Sequence, residues 1–248
     1  MSVPRSSPQS PAKPTLRPDT AVRFGKPLIF LLCLAPLGLL VWRALSDGLG
    51  ANPVEAVVHF TGSWALRLLL VTLAVTPLQR LSGQPWLVGY RRLLGLFAFF
   101  YAVLHFAAYL VLDRALVWED ISTDLTKRPY IVVGFGALLL LVPLAVTSTR
   151  GWIKRLGHHW LTLHRAVYAI AILAVLHFLW LVKADTLEPL IYAAVLAILI
   201  ALRVPWRRLV GRRIAGPGGG HRRRAGCLYP GTATGVPPVE VSREENNK

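Results

Sequence analysis

The chain has 248 residues, of which 54% are hydrophobic and only 16% are charged, and its formal net charge is +16. So apolar a composition excludes an ordinary soluble domain and indicates an integral membrane protein. The two cysteines, Cys33 and Cys227, form neither a CxxC pair nor a disulfide framework, so the sequence gives no indication of thiol redox chemistry.

The predicted elements are apolar spans that approach the roughly 20 residues needed to cross a bilayer as a helix. Pro36 and Pro143 fall inside spans, and membrane helices tolerate the kinks we expect there. The sequence shows no internal repeat and no nucleotide-binding fold. The six spans cover residues 27–45, 57–76, 91–112, 130–147, 160–182 and 187–204.

These spans predict an all-α integral membrane protein, a bundle of six transmembrane helices that occupies residues 27–205. The N-terminal segment 1–26 is rich in Ser and Pro, and the tail 206–248 is rich in Gly, Arg and Pro. Such compositions bury little apolar surface, so both segments are predicted to be disordered.

Lys and Arg residues occur in alternate connecting segments, and this pattern sets the orientation of a membrane protein. The segments 1–26, 77–92 and 148–159 carry five, three and three of them, and the chain after residue 202 carries ten. The other loops are acidic or of mixed charge. The pattern places both termini in the cytoplasm. It also attributes most of the positive charge to membrane orientation rather than to nucleic-acid binding.

Four histidines lie inside predicted spans: His59 is near the outer end of the second, and the other three lie deeper, where a polar side chain is costly and is therefore a candidate functional group. Spans three and five both enter from the cytoplasm. His105, fourteen residues after Arg91, should therefore lie at the depth of His177, thirteen residues after His164. Two imidazoles that face each other from neighbouring helices suit a six-coordinate haem iron. Zinc prefers four ligands, and no carboxylate lies at that depth.

The two histidines of the fifth span do not face the same direction on an ideal helix. Thirteen residues at about 100° each leave His164 and His177 about 140° apart, whereas Arg91 and His105 are only about 40° apart. Helix tilt, a bulge or two differently rotated haems would reconcile the two histidines. Alternatively, one of them is not a ligand.

Histidines on the third and fifth of six helices resemble the ferric-reductase-like transmembrane family. Its two-haem members carry two histidines on each of these helices, but this chain has Arg91 at the inner position of the third. Over about residues 25 to 205 the chain more closely resembles the branch that provides the haem-binding membrane subunit of bacterial periplasmic methionine sulfoxide reductases. The motifs that carry this resemblance are HFTG at 59–62, RRLLGL at 91–96, LH at 104–105, RPY at 128–130, TST at 147–149, and LHRAVY and LHFLW in span five.

The resemblance implies a b-type cytochrome in the bacterial inner membrane that binds one or two haem b groups and FMN. It implies electrons taken from quinol or from a cytosolic flavin reductase. Those electrons would pass outward to a periplasmic molybdopterin-containing methionine sulfoxide reductase subunit that repairs oxidised proteins. The substrate site is then expected on that partner, and membrane lipid surrounds this chain.

The resemblance also suggests roles for the three intramembrane histidines. His105 and His177 are expected to be the axial ligands of an outer haem. His164 is expected to ligate a second, inner haem, whose other ligand is left open. The plainer alternative is that these histidines are polar core residues.

Four further residues are candidates for the haem environment. A guanidinium is a poor iron ligand, so Arg91 or Arg92 is expected to pair with a haem propionate or to anchor the third span at the inner interface. Arg67, in the middle of the second span, needs a partner in lipid, either a propionate or a loop acid. His59 is a candidate of the same kind.

Other functions remain open at this point. One is a cytochrome subunit of another redox complex or a metal reductase. Another is a transporter or assembly factor whose intramembrane His and Arg residues line a polar path, which predicts no bound chromophore. A structural scaffold would leave the matching depths of His105 and His177 as a coincidence.

Overall fold

The computed structural model describes residues 18–182 and 186–203, with side chains from residue 25 onward except that of Arg150. Within this part of the chain, every regular element is a helix. Residues 1–17 and the predicted tail 206–248 lie outside the described residues.

Each predicted span corresponds to helix in the described chain, whereas two short helices, Trp118–Lys127 and Arg150–Leu156, lie in segments that are predicted as loops. A 3₁₀ turn at Pro85–Leu87 precedes the third helix, and a π-helical turn at Tyr109–Asp113 extends it. The α-helices are α1 (Pro18–Leu45), α2 (Pro53–Ser82), α3 (Val88–Ala108), α4 (Trp118–Lys127), α5 (Pro129–Val146), α6 (Arg150–Leu156), α7 (His158–His164), α8 (Ala166–Leu181) and α9 (Leu187–Ala201).

Five stretches of the described chain are long and apolar enough to cross a bilayer. Large apolar side chains on their outer faces, such as Leu31, Trp42 and Leu139, are exposed. A soluble protein rarely leaves so much apolar surface uncovered, and lipid tails cover it here. The chain is therefore a multi-pass membrane protein. The five stretches are Gly25–Leu45, Pro53–Ser82, Pro85–Asp113, Pro129–Val146 and His158–Leu181.

The sixth predicted span corresponds to α9, which has 15 residues in the described chain. At about 1.5 Å per residue such a helix is shorter than the roughly 30 Å hydrocarbon core. The count of six transmembrane helices therefore stays a prediction. The first helix also differs from its predicted bounds, because α1 begins at Pro18, inside the predicted N-terminal segment.

Local sequence explains the ends of the long helix α2. The Asn52 side chain accepts a hydrogen bond from the Glu55 amide, and Pro53 follows at the first helical position, where its missing N–H costs nothing. At the other end Gly83 adopts a left-handed conformation with φ of 68°, which a glycine does without steric cost.

Two helix pairs account for most of the packing. α2 packs along α3, and α5 packs along α8, while α1 and α9 lie against this central set. The largest fully buried side chains come from α2, α3 and α8 and from the start of α9: Thr61, Leu73, Tyr101, Ile170 and Pro189. The predicted fifth span is a broken helix, because a turn at Arg165 separates α7 from α8.

A buried tyrosine joins α1 to α3 at the proline kink. In a regular helix the Leu37 N–H would donate to the Cys33 carbonyl, next to the position where Pro36 lacks an N–H. The Tyr101 hydroxyl accepts from the Leu37 N–H at 3.0 Å and donates to the Cys33 carbonyl at 2.9 Å. The hydroxyl therefore lies between two backbone groups of the helix and forms a hydrogen bond with each, which lipid cannot do.

We expect Tyr101→Phe to lower the stability of the protein by about 1–3 kcal/mol, because it leaves buried backbone groups of α1 without their partner. Thermal unfolding in detergent measures the effect. Tyr130→Phe is the matched control, since that hydroxyl makes only a 3.5 Å contact with the exposed Arg128. An unchanged unfolding temperature for Tyr101→Phe would show that the hydroxyl bridge contributes nothing.

Candidate functional site

The structure brings His105 of α3 and His177 of α8 together in the interior of the bundle. Their ring centroids are 6.3 Å apart, and their planes are inclined by 75°. The depth argument from the sequence predicts this juxtaposition, although 72 residues separate the two positions. Both side chains are largely shielded by neighbouring helices.

Each imidazole is held by a backbone carbonyl of the helix packed against its own. The His105 Nδ1 lies 2.9 Å from the Val58 carbonyl oxygen of α2, and the His177 Nδ1 lies 2.6 Å from the Tyr130 carbonyl oxygen of α5. A carbonyl only accepts, so each Nδ1 carries the proton and donates it. The Nε2 atom of each ring then keeps its lone pair for a metal.

A glycine makes room for each ring. A Cβ atom at Gly62 would lie 3.0 Å from His105 Nδ1, and one at Gly134 would lie 2.7 Å from His177 Nδ1. Each glycine is four residues after the residue whose carbonyl accepts the imidazole hydrogen bond. On a helix the side chain at i+4 lies beside the carbonyl of residue i, so any larger residue would displace the ring.

The two halves of the site therefore repeat one arrangement. The sequence separation between imidazole and carbonyl is 47 residues in both α2–α3 and α5–α8. These are also the two most extensively packed helix pairs. No repeat is visible in the sequence, because the shared features are one glycine, one histidine and their spacing.

The imidazoles border a mainly apolar, partly open cavity of about 370 Å³ between α2, α3, α5 and α8, whose lining also includes the polar Asn52, Glu55, His59, Asp113 and Arg128. Small or aliphatic side chains form much of its wall, as a flat apolar macrocycle requires. The lining includes Leu66, Ala98, Ala102, Ala137, Leu141 and Ile170.

The geometry fits one iron held between the two rings. Two metal–imidazole bonds of about 2 Å, plus roughly 1 Å from each ring centre to its nitrogen, place ring centroids about 6 Å apart. The observed separation of His105 and His177 is 6.3 Å. Within the described residues no group of three or more His, Cys, Asp or Glu side chains forms a site for a bare metal ion.

His164 lies apart from this pair, at the end of α7. Its Nδ1 is 3.1 Å from the Trp160 carbonyl oxygen, and its ring stacks on the Trp160 ring with centroids 3.9 Å apart. Its Nε2 is buried and makes no hydrogen bond of normal geometry among the described residues, although the Leu144 carbonyl lies close enough to interact with the imidazole. A single turn at Arg165, with φ of −69° and ψ of −22°, separates the helices that carry His164 and His177.

The inner arginines have different surroundings. Arg91 is partly buried and interacts electrostatically with Arg203 and His164, whereas Arg92 is exposed. Arg203 was not a candidate from the sequence; it donates to the Tyr168 hydroxyl and, at 2.6 Å, to the Leu73 carbonyl. Cationic groups thus gather near His164.

The intramembrane Arg67 has an acidic partner, as one of its two sequence alternatives predicts. Its guanidinium lies 3.5 Å from the Glu188 carboxylate and donates to the Tyr192 hydroxyl at 2.7 Å. His59 lies 3.8 Å from the Glu55 carboxylate. Arg67 and His59 line a second, more polar cavity between α2, α8 and α9, and His59 also borders the larger one.

Sequence reasoning missed the groups that orient the two imidazoles. Backbone carbonyls carry no side-chain signal, and Gly62 and Gly134 were not singled out. Two motifs nevertheless contain part of the answer. Gly62 ends the HFTG motif at 59–62, and Tyr130 ends the RPY motif at 128–130.

Comparison with known proteins gives concordant results. The family model described as ferric reductase like transmembrane component matches residues 61–175. The protein-methionine-sulfoxide reductase heme-binding subunit MsrQ of Xanthomonas axonopodis pv. citri is 53% identical over 201 residues, which cover 79% of this chain and 92% of that protein. The subunit of the same name from Bordetella pertussis is 51% identical over 197 residues, covering 77% of this chain and 96% of that protein.

We expect Gly134→Ala to displace the His177 ring, because the new methyl group would lie 2.7 Å from its Nδ1. Loss of an orienting contact of this kind typically costs about 10- to 100-fold in metal affinity. Haem per purified protein, determined by pyridine haemochrome, is the measurement. Gly136→Ala on the same helix is the control, since nothing lies within 4 Å of its added methyl. Equal haem content in both variants would contradict this account of the glycine.

Proposed function

From the membership of this chain in the MsrQ family of haem-binding subunits, we propose that it is the haem-binding membrane subunit of a methionine sulfoxide reductase system. In this function it is a b-type cytochrome that transfers electrons and carries no substrate site of its own. The observation that carries the proposal is the facing pair His105 and His177, 6.3 Å apart across an apolar cavity.

In this proposal, His105 and His177 are the axial ligands of one haem b. The Val58 and Tyr130 carbonyls fix the tautomer of each ring and direct Nε2 toward the metal. The apolar wall excludes water and lowers the local dielectric constant around the iron. When bound, haem supplies reversible one-electron chemistry.

The direction of electron transfer follows from the depth of the pair. With both termini in the cytoplasm, His105 and His177 lie toward the outer face of the inner membrane. A donor at that depth suits a periplasmic molybdopterin-containing partner subunit. We propose quinol or a cytosolic flavin reductase as the source of electrons; the family resemblance supports these donors and FMN, and we assign no residue to FMN.

We further propose six transmembrane helices and an inner haem near His164. The buried Nε2 of His164 makes no hydrogen bond of normal geometry among the described residues, although the Leu144 carbonyl lies near the ring, and a nitrogen so weakly held suits a ligand atom. Arg91 and Arg203 lie close enough to interact electrostatically, and they suit the propionates of such a group. Because Arg67 is paired with Glu188 and His59 lies near Glu55, these two are weaker candidates for a propionate.

We expect His105→Ala and His177→Ala each to abolish the low-spin b-type spectrum of the outer haem, because a five-coordinate iron is left without its second imidazole. Oxidised and dithionite-reduced visible spectra of detergent-purified protein measure this loss. His158→Ala, at an exposed histidine, is the control. Haem content and spectrum equal to the wild type in both variants would overturn the ligand assignment.

The wild-type stoichiometry tests the inner haem in the same preparation. Two haems per chain, reduced to one by His164→Ala, support a second site. One haem that is unaffected by this substitution contradicts it. A colourless, well-folded protein from haem-replete cells would contradict the proposed function itself and favour a transporter.

A further inference from the structure

A buried carboxylate at the outer end of the bundle has no part in the proposed ligand set. Asp124 of α4 is only 5% exposed. Its Oδ2 forms an ion pair with Arg114 Nε at 2.6 Å, without the angles of a hydrogen bond, and accepts a hydrogen bond from the Tyr109 hydroxyl at 3.0 Å. Its Oδ1 lies 3.2 Å from Arg128 Nε. A buried acid with three partners is an expensive arrangement that a solvent-exposed loop helix does not need for its own folding.

The partners of Asp124 belong to the two chain segments that hold the imidazole pair. Tyr109 follows His105 by four residues, one helical turn, where α3 passes into the π-helical turn. Arg128 immediately precedes α5, two residues before Tyr130, whose carbonyl accepts the hydrogen bond from the His177 imidazole. One carboxylate therefore links the end of the His105 helix to the start of the segment that orients His177.

The backbone between these segments adopts unfavourable conformations. Ala115 and Leu116 have φ angles of 47° and 60°, in the left-handed region that costs a non-glycine residue about 1–2 kcal/mol each. The neighbouring Arg114 is held by Asp124 and packs over the Tyr109 ring at 5.8 Å. Burial lowers the pKa of Arg114, but the carboxylates of Asp113 and Asp124 raise it above its ordinary value, so the guanidinium stays charged.

We propose that Asp124 is a positioning residue for the imidazole pair. It sets the relative placement of His105 and His177 through two connections, one by Tyr109 and Arg114 to α3 and one by Arg128 to α5. The 75° angle between the ring planes and the centroid distance of 6.3 Å then depend on a group outside the cavity. This inference rests on the proposed function only in that the pair holds haem.

A purely structural role for Asp124 makes a different prediction. If the carboxylate only stabilised the protein, its loss would lower the unfolding temperature while the haem that remains bound kept its normal properties. A positioning role changes the bound haem itself. The largest g value in the electron paramagnetic resonance spectrum of low-spin ferric haem depends on the angle between the two imidazole planes, and the midpoint potential depends on ligand geometry and hydrogen bonding.

The test compares Asp124→Asn with Asp120→Asn in the full-length protein, purified in detergent. Asp120 is an exposed acid on the same helix and controls for the change in charge. Tyr109→Phe weakens the connection to α3, where the Arg114 ion pair remains, and Arg128→Gln removes the one to α5. Both residues also border the cavity, whereas Asp124 does not, so Asp124→Asn is the primary variant. Asp124→Glu keeps the charge and is expected to restore part of the wild-type signal. Spectra and redox titrations are normalised to bound haem.

We expect Asp124→Asn to shift the g value and the midpoint potential and to raise the high-spin fraction, while Asp120→Asn matches the wild type. Each single-connection variant should shift the same signals by less. Wild-type signals in Asp124→Asn overturn the proposal; if that variant retains too little haem, wild-type signals in both Tyr109→Phe and Arg128→Gln overturn it. Absence of haem from the wild type would be a different failure, that of the proposed function. It would also remove the basis for a positioning role of Asp124.

Discussion

Two hydrogen bonds from imidazole to backbone determine what this bundle can hold. The carbonyls of Val58 and Tyr130 belong to helices, yet each also accepts a hydrogen bond from a histidine of the neighbouring helix. In a membrane interior such bonds are made because no water competes for either group. They commit Nδ1 of each ring to the protein and leave Nε2 for a metal, and they bind α2 to α3 and α5 to α8 at the level of the site.

The glycines are the condition for these bonds. A side chain at Gly62 or Gly134 would occupy the space of the ring, so each imidazole lies in a notch in the neighbouring helix. Because the carbonyl and the glycine are one helical turn apart, a single helix surface supplies both the acceptor and the space. The repetition of this unit with a separation of 47 residues gives the site an approximate internal symmetry.

Polar groups elsewhere in the bundle also make their hydrogen bonds and ion pairs with other protein groups, because no water is available in the membrane interior. Tyr101 occupies the backbone gap next to Pro36, and Arg67 meets the Glu188 carboxylate and the Tyr192 hydroxyl. Around His164, by contrast, the buried Nε2 makes no hydrogen bond of normal geometry among the described residues, the Leu144 carbonyl contacts the ring only weakly, and the cationic Arg91 lies nearby. That imbalance distinguishes a candidate ligand site from the satisfied polar contacts of the core.

The sequence by itself determined the membrane class, most helix bounds to within a few residues, and the pairing of His105 with His177. These follow from local quantities: apolar run length, loop charge and residue count along helices of known rise. It also predicted that Arg67 needs a partner, because an isolated charge in lipid is too costly.

Only the tertiary structure decided how the imidazoles are oriented and what supports them. The carbonyl acceptors and the notches at Gly62 and Gly134 bring together positions 43 to 47 residues apart in the chain. Backbone groups also look alike at every residue, so no side-chain pattern reveals them. The turn at Arg165, between the helices that carry His164 and His177, was likewise not predicted from the sequence. Periodicity describes one helix at a time, whereas the geometry of a site between helices depends on how their surfaces pack.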